Sequence, residues 1–247
     1  MNSLVAIPVY NEEKYVRRVL TRVLEIAPEV LVIDDGSTDR TPELVGGFPV
    51  RSIRREGNVG YGRSMQDAFK YALANGFDWL ITMDCDEQHE PESIPRFLDA
   101  ARTMGVDVVS GSRYLQYETG SDSPPPDRRA INQQITDEVN RRLGLALSDG
   151  FCGFKAYRVA PLASLTLSED GYAFPMQFWV QAVAHGLSIA EIPVSLIYND
   201  ASRSFGGPLD DPAVRLRHYR RALHCELERC AHLLPAAATT NIEACCG

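Results

Sequence analysis

Two aspartates separated by one residue, Asp84 and Asp86, stand in the segment Asp84-Cys85-Asp86-Glu87-Gln88-His89, directly behind the apolar run 79–83. Where a strand ends the chain turns, so two such carboxylates can reach one ion or its neighbourhood. Carboxylate oxygens suit hard cations such as Mg²⁺ and Mn²⁺, which bridge to substrate phosphates. Asp84, Asp86 and Gln88 are the candidate metal set, and Asp86 is also a candidate catalytic residue. The plain alternative is a solvated acidic turn ahead of the next helix.

Three more segments fall behind apolar runs. In Pro8-Val9-Tyr10-Asn11-Glu12-Glu13 an aromatic ring lies beside amide and carboxylate groups, a set that can hold a base and ribose. It can equally be a strand-to-helix turn with Asn11 as N-cap. In Asp34-Asp35-Gly36-Ser37-Thr38-Asp39 paired carboxylates repel and desolvate badly, so they need donors. A base, a ribose or the turn at Thr41 could supply them, or the segment is a capped turn ahead of Pro42. The glycines of Asn58-Val59-Gly60-Tyr61-Gly62-Arg63-Ser64 permit close backbone approach at a helix start, where anions bind. The Lys-Ser/Thr end of a P-loop and the third glycine of a dinucleotide fingerprint are missing.

Arg113 closes a strand and Arg128-Arg129 open a helix. Arginines so placed can fork onto a phosphate, or pair with acids such as Asp122 and Asp127. A hydroxyl acceptor would require a carboxylate base. Asp149, Glu169 and Asp170 are the candidates, against a reading as loop and cap residues.

The elements that must position these groups alternate in type. Strands are expected at 4–8, 30–34, 50–53, 79–83, 106–110, 153–157 and 189–197. Pro193 suggests that the last lies at a sheet edge. Helices are expected at 12–26, 62–74, 92–103, 129–145, 174–185 and 211–234. This alternation implies an α/β fold, a mostly parallel central sheet flanked by helices, with ligands at the carboxyl ends of the strands. The proline-, glycine- and serine-containing stretch 116–127 reads as a lid that orders over the donor. Residues 1–234 are expected to form one Rossmann-like domain, and 235–247 a flexible tail without packing pattern.

The chain has 247 residues and a formal net charge of −8, which speaks against general nucleic-acid binding. No apolar run approaches the roughly 18–20 residues of a membrane span, and the first residues lack the pattern of a signal peptide. A cytoplasmic protein is expected. The six cysteines lack paired CxxC spacing and read as scattered reduced thiols. Cys245 and Cys246 do not match a CaaX box, and an unmodified tail is expected.

The order PVYNE, DDGSTDRT, NVGYGRS and DCDEQH resembles family 2 glycosyltransferases with the GT-A fold. It is most similar to the dolichyl-phosphate mannosyltransferase-like, polyprenyl-phosphate sugar transferase branch. The likeness continues through Gly111-Ser112-Arg113-Tyr114, the segment from Gly150 to Arg158, and Gly171-Tyr172-Ala173-Phe174. Residues 199–205 resemble the family's Arg-x-x-Gly-x-Ser tail loosely, with Asn199 at the arginine and Arg203 nearby. Where the family has Gln-x-Glu behind Tyr-Ala-Phe, this chain has Pro175-Met176-Gln177.

The resemblance implies an inverting, metal-dependent hexosyltransferase using Mg²⁺ or Mn²⁺ and a GDP- or UDP-sugar. Pro8, Tyr10, Glu12 and Asp35 would hold the nucleoside, and Asp84, Asp86 and Gln88 the metal and diphosphate. Arg113 with Arg128 or Arg129 would receive an acceptor phosphate, that of a polyprenyl phosphate used at the inner membrane face. The nucleotide-sugar half would span about 1–112 and the acceptor half 113–234. The other readings are a transferase to a soluble hydroxyl, a sugar nucleotidyltransferase, or a non-catalytic nucleotide-sugar binder. Intact Asp84, Asp86 and Gln88 argue against the last.

Overall fold

The computed structural model describes residues 2–115, 126–197 and 206–242. Seven strands form one sheet: β1 (Ser3–Val9), β2 (Val30–Asp34), β3 (Arg51–Arg54), β4 (Trp79–Thr82), β5 (Val108–Ser112), β6 (Lys155–Arg158) and β7 (Ile189–Pro193). Their order is β3-β2-β1-β4-β6-β5-β7. All neighbours run parallel except β6, which is antiparallel to both β4 and β5. The first four strands therefore deliver their carboxyl ends to one rim.

Strand alternation builds a core on each face. Leu4, Ala6, Leu31 and Ile33 face α3 (Tyr61–Ala74) and α7 (Phe174–Ala184), behind which lie α5 (Pro126–Leu143) and α8 (Pro212–Arg229). Val5, Ile7, Val30 and Val32 face α1 (Val16–Leu24) and α4 (Ile94–Met104). Leu4, Val5, Ala6 and Ile7 are all fully buried, because both faces of β1 are covered.

The expected helices and strands are present with shifted ends. α1 starts at Val16 rather than 12, because Asn11 adopts φ 55° and residues 11–15 form a turn. β5 begins at Val108 rather than 106. Just before it, Asp107 is held by Arg158 and by the backbone N–H and hydroxyl of Ser188. β7 stops at Pro193, at the end of the sheet as expected. The short helices α2 (Thr41–Val45) and α6 (Val159–Leu162) were not foreseen. Each is too brief for a periodic pattern.

Two expectations require correction. Residues 235–242 are not a frayed tail: Ala236–Thr239 form a 3-10 turn whose Ala238 is fully buried. The Arg142 guanidinium donates to the carbonyls of Ala238 and Thr240 at 3.1 and 3.0 Å, satisfying backbone acceptors that this short segment cannot pair itself. The thiols are not uniformly reduced either. Cys85, Cys152 and Cys230 are free and buried, but Cys225 is disulfide-bonded. Cys245, Cys246 and the 116–125 part of the expected lid lie outside the described residues.

Arg142 is itself held by Glu138, which also accepts from Arg220 (3.0 Å) and lies 2.7 Å from His224 Nε2. Burial raises the Glu138 carboxyl, but the bonds from His224, Arg220 and Arg142 outweigh it and bring it down to about 2. Its contribution to stability is therefore complete above the ordinary glutamate value of 4.5 and is lost as pH falls toward about 2. Glu138→Gln should cost about 3 kcal/mol at neutral pH, because it strands buried cations. In denaturant melts across pH it should also flatten the acid limb in that window. Parallel limbs for the two proteins would refute this.

Candidate active site

The rim is built from the turns that leave β1, β2 and β4 and from the loop that enters α3. Asn11, in its left-handed conformation, turns its side chain onto the neighbouring turn. Its Oδ1 accepts from Thr38 N (2.8 Å), and its own N–H donates to Ser37 Oγ (3.0 Å). Glu12 N donates to Thr41 Oγ1, and Glu13 N to Asp39 Oδ2. Asn11 is thus no N-cap of α1 but a bolt between two turns. Burial raises the Asp39 carboxyl, yet its bonds from Thr41 and Glu13 prevail and hold it below the ordinary range. Pro8 and exposed Tyr10 remain at the open edge of this frame, with Glu12 buried behind them.

The two aspartates that end β2 part company. Asp34 Oδ1 accepts from Ser37 N, while the buried Oδ2 has no hydrogen bond and lies 3.4 Å from Arg54 Nε. Asp35 is spent on the loop: it accepts from Val59 N (3.0 Å), Gly60 N (2.7 Å) and Arg55 Nη1 (2.5 Å). Within the protein Asp35 thus braces the loop before α3, with Oδ1 taking two of these bonds and Oδ2 one. Arg55 in turn reaches Asp67 on α3.

The glycines serve backbone contact as well as freedom. A Cβ on Gly60, where φ is 132°, would lie 2.3 Å from the Asp170 carbonyl, and one on Gly62 2.1 Å from that of Glu169. The loop before α3 is therefore pressed against residues 169–171. Tyr61, between these glycines, stacks on Tyr172 with ring centres 6.4 Å apart. Burial, and then the nearby Asp84 carboxylate, push the Tyr61 hydroxyl well above its usual value.

Asp84 and Asp86 stand just beyond β4, the middle strand of the sheet. Asp86 is buried and its Oδ1 accepts from Gln88 N (3.1 Å). The Asp84 side chain is more open, with 38% of its surface exposed. Its backbone N–H donates to Nδ1 of buried His89 (2.9 Å), which fixes that nitrogen as an acceptor. Burial lowers the His89 pKa to about 4, so the ring is neutral at pH 7. Beneath Asp84 lies Gly153, where a Cβ would meet Asp84 Oδ2 at 2.7 Å. No group of three His, Cys, Asp or Glu fit to hold a metal occurs among the described residues. The two aspartates with an amide side chain nevertheless fit a Mg²⁺-like ion, which retains water and substrate oxygens and takes one or two protein carboxylates.

The acceptor-side residues rearrange the expectation. Asp149 is buried and accepts from Arg113 Nε (2.7 Å) and Nη2 (2.9 Å), and from Phe151 N (3.1 Å). Burial raises its carboxyl, but Arg113 outweighs that and holds it low. Asp149 is therefore the counter-ion of Arg113, and the Arg113 fork is engaged on it. Asp170 Oδ1 accepts from Gln66 Nε2 (3.2 Å), and Glu169 Oε1 from Gly171 N (2.9 Å). Asp127 pairs with Arg215. Arg129 lies over the Tyr114 ring, 3.5 Å from its centre, and its buried Nη1 has no hydrogen-bond partner among the described residues. Asp122 and the stretch 199–205, with Asn199 and Arg203, lie outside those residues.

Sequence reasoning passed over His89 as a positioning group, Gly153, Arg55 and Tyr61. Gly153, Arg55 and Tyr61 act through neighbours distant in the chain, and His89, only five residues from Asp84, takes its role from its burial, so local spacing carried no sign of them.

Comparison with known proteins agrees with this geometry. The model of "Glycosyl transferase family 2" matches residues 4–166. The polyprenol monophosphomannose synthase of Mycolicibacterium smegmatis is 34% identical over 205 residues, covering 78% of this chain and 76% of that protein. The undecaprenyl-phosphate mannosyltransferase of Micrococcus luteus is 30% identical over 238 residues, covering 92% and 97%. Among solved structures, the glucosyl-3-phosphoglycerate synthase of Mycobacterium tuberculosis, in complex with Mn²⁺, UDP and its product, superposes with a TM-score of 0.69. It has 21% identity and covers 95% of this chain and 81% of that one. That likeness concerns the fold, which is GT-A.

The Gly153 contact yields a test. Gly153→Ala should push the Asp84 carboxylate aside and weaken Mn²⁺ binding about tenfold or more, with little change in melting temperature. Calorimetric titration with Mn²⁺ in the presence of a nucleoside diphosphate reads this. Unaltered affinity would separate Gly153 from the ion site.

Proposed function

The chain belongs to glycosyl transferase family 2 and is a glycosyltransferase, and from that premise we propose that it moves a sugar from a nucleoside-diphosphate donor to a polyprenyl phosphate with inversion at the anomeric carbon. The observation that carries this reading is the pair Asp84 and Asp86 beyond the central strand β4, in a chain similar to an undecaprenyl-phosphate mannosyltransferase over nearly its whole length. Asp84, Asp86 and Gln88 would hold Mg²⁺ or Mn²⁺, which supplies Lewis-acid neutralisation of the leaving diphosphate. Tyr10, with Pro8 and Glu12, frames the nucleoside end. His89 and Gly153 keep Asp84 in place from beneath.

The state of the carboxylates favours a phosphate acceptor over a hydroxyl. A hydroxyl must lose a proton as it attacks, so it needs a base. Asp149 is tied to Arg113, Asp170 accepts from Gln66, and Glu169 accepts from Gly171. A phosphate is already anionic at neutral pH and needs none. Its oxygen attacks the anomeric carbon, the bond to the leaving diphosphate breaks, and no proton moves. Arg129, with its Nη1 buried and unbonded, is the cation best placed to receive that anion, with Arg128 beside it. No helix among the described residues is long and apolar enough to cross a membrane. With a prenyl-chain acceptor, the protein would work as a peripheral enzyme at the cytoplasmic membrane face.

Asp86→Ala should abolish transfer with the fold intact, and excess chelator should do the same to the parent. Full activity in chelator would end the metal assignment. Arg129→Ala should raise the KM for a polyprenyl phosphate about tenfold or more while leaving the donor KM near its original value. Lysine should rescue only in part, for want of the planar fork. A thermal-shift screen of GDP- and UDP-sugars with Mn²⁺ identifies the donor, since a ligand raises the stability of the state it binds. Transfer to a soluble alcohol and to no prenyl phosphate would overturn the acceptor assignment.

A further inference from the structure

Between α7, α8 and the irregular stretch behind α6 lies a buried polar cluster that the proposed reaction does not use. Gln177, Gln181 and Glu226 are each no more than 5% exposed. Residues 163–173 form neither helix nor strand, so the backbone groups there depend on side chains for their partners. Gln181 Oε1 accepts from Thr166 N (3.1 Å), and Gln177 Oε1 accepts from both Ser168 N (2.7 Å) and Glu169 N (2.8 Å). The opposite ends of the two amides converge on one carboxylate. Gln177 Nε2 donates to Glu226 Oε2 (2.8 Å), and Gln181 Nε2 to Glu226 Oε1 (2.5 Å). Arg229 Nε bridges both Glu226 oxygens at 3.1 and 3.0 Å, and Arg229 Nη2 donates to the Thr166 carbonyl.

This chemistry permits one orientation of each amide. The oxygen must meet backbone N–H donors and the nitrogen must meet the carboxylate. Glutamate at 177 could accept from the two backbone N–H groups but could not donate to Glu226. The far end of the same stretch is fixed to the start of α3. Gln66 Nε2 donates to the Glu169 carbonyl and Asp170 Oδ1, and Arg63 N donates to the Asp170 carbonyl. Gly60 and Gly62 admit backbone contact there, and Tyr172 stacks on Tyr61 at the start of α3.

We propose that Glu226 is a positioning residue: through the amides of Gln177 and Gln181 it sets residues 166–171 against the loop before α3, and so fixes Tyr172 on Tyr61 at the rim of the sheet that also carries Asp84. This rests on the reading of Asp84 as part of the sugar-transfer site. The carboxylate and the amide are exchangeable in this geometry at every bond between 177, 181 and 226, and only the Arg229 bond to the second oxygen at 226 is lost. With glutamate at 177 and glutamine at 226, the loop N–H groups still meet an oxygen, Gln181 still donates to a carbonyl oxygen, and the bridging bond runs from 226 to 177.

The test is a swap cycle in the full chain: Gln177→Glu, Glu226→Gln and the double variant. Amide hydrogen exchange at Thr166, Ser168 and Glu169 is read alongside kcat per folded molecule. Each single variant should speed exchange at those amides about tenfold and lower kcat by a similar factor, because a bond to a buried charge is lost or two carboxylates meet. The double variant should recover both at least in part, to well above either single variant, since coupled neighbours do not add and only one Arg229 bond stays lost. A purely structural role would lower the melting temperature and leave kcat per folded molecule unchanged, which overturns the proposal. So would single variants with parental exchange, or a double variant as impaired as the two singles combined. If a single variant does not fold, the double variant decides alone: parental exchange and kcat support the coupling, and their loss, or failure to fold, refutes it. The exchange readout needs no substrate. Faster exchange in the single variants, reversed in the double variant, of a parent that transfers no sugar would therefore fault the functional reading and leave the setting of residues 166–171 by Glu226 standing.

Discussion

A carboxylate taken out of water must be given donors, and much of this molecule is arranged around that requirement. Asp35 draws in the backbone of residues 59 and 60 and the Arg55 side chain. Asp39 ties the turn after β1 to the turn after β2. Asp149 holds Arg113, Glu138 gathers Arg142, Arg220 and His224, and Glu226 anchors two glutamines. Each is a charge whose desolvation is offset by several bonds made at once. Segments far apart in the chain are thereby fixed to one another around the rim of the sheet.

Within that frame Asp84 differs. Its side chain is the more open of the pair beyond β4, and the parts around it leave its oxygens room: a glycine beneath, a neutral histidine at its backbone N–H. The antiparallel strand β6 makes this possible, because it crosses between β4 and β5 and so carries Gly153 to the carboxyl end of β4.

The same logic separates the two halves of the site. On the donor side the acidic groups either face the opening or brace the turns that do. On the other side Asp149 is ion-paired with Arg113, and Arg129 on α5 has a buried nitrogen with no hydrogen-bond partner among the described residues.

The sequence by itself determined the layered α/β architecture, the strands that carry the motifs, and Asp84 and Asp86 beyond β4. These follow from local periodicity and from turn chemistry adjacent in the chain. It also placed the chain's likeness in family 2 glycosyltransferases, through four motifs in fixed order. It could not tell that Asp35 braces the loop before α3, that Asp149 and Arg113 occupy each other, or that residues 235–242 are docked by Arg142. Those outcomes depend on partners 24, 36 and 96 residues apart. A carboxylate's role is set by which donors surround it after folding, and only the tertiary structure brings those donors together.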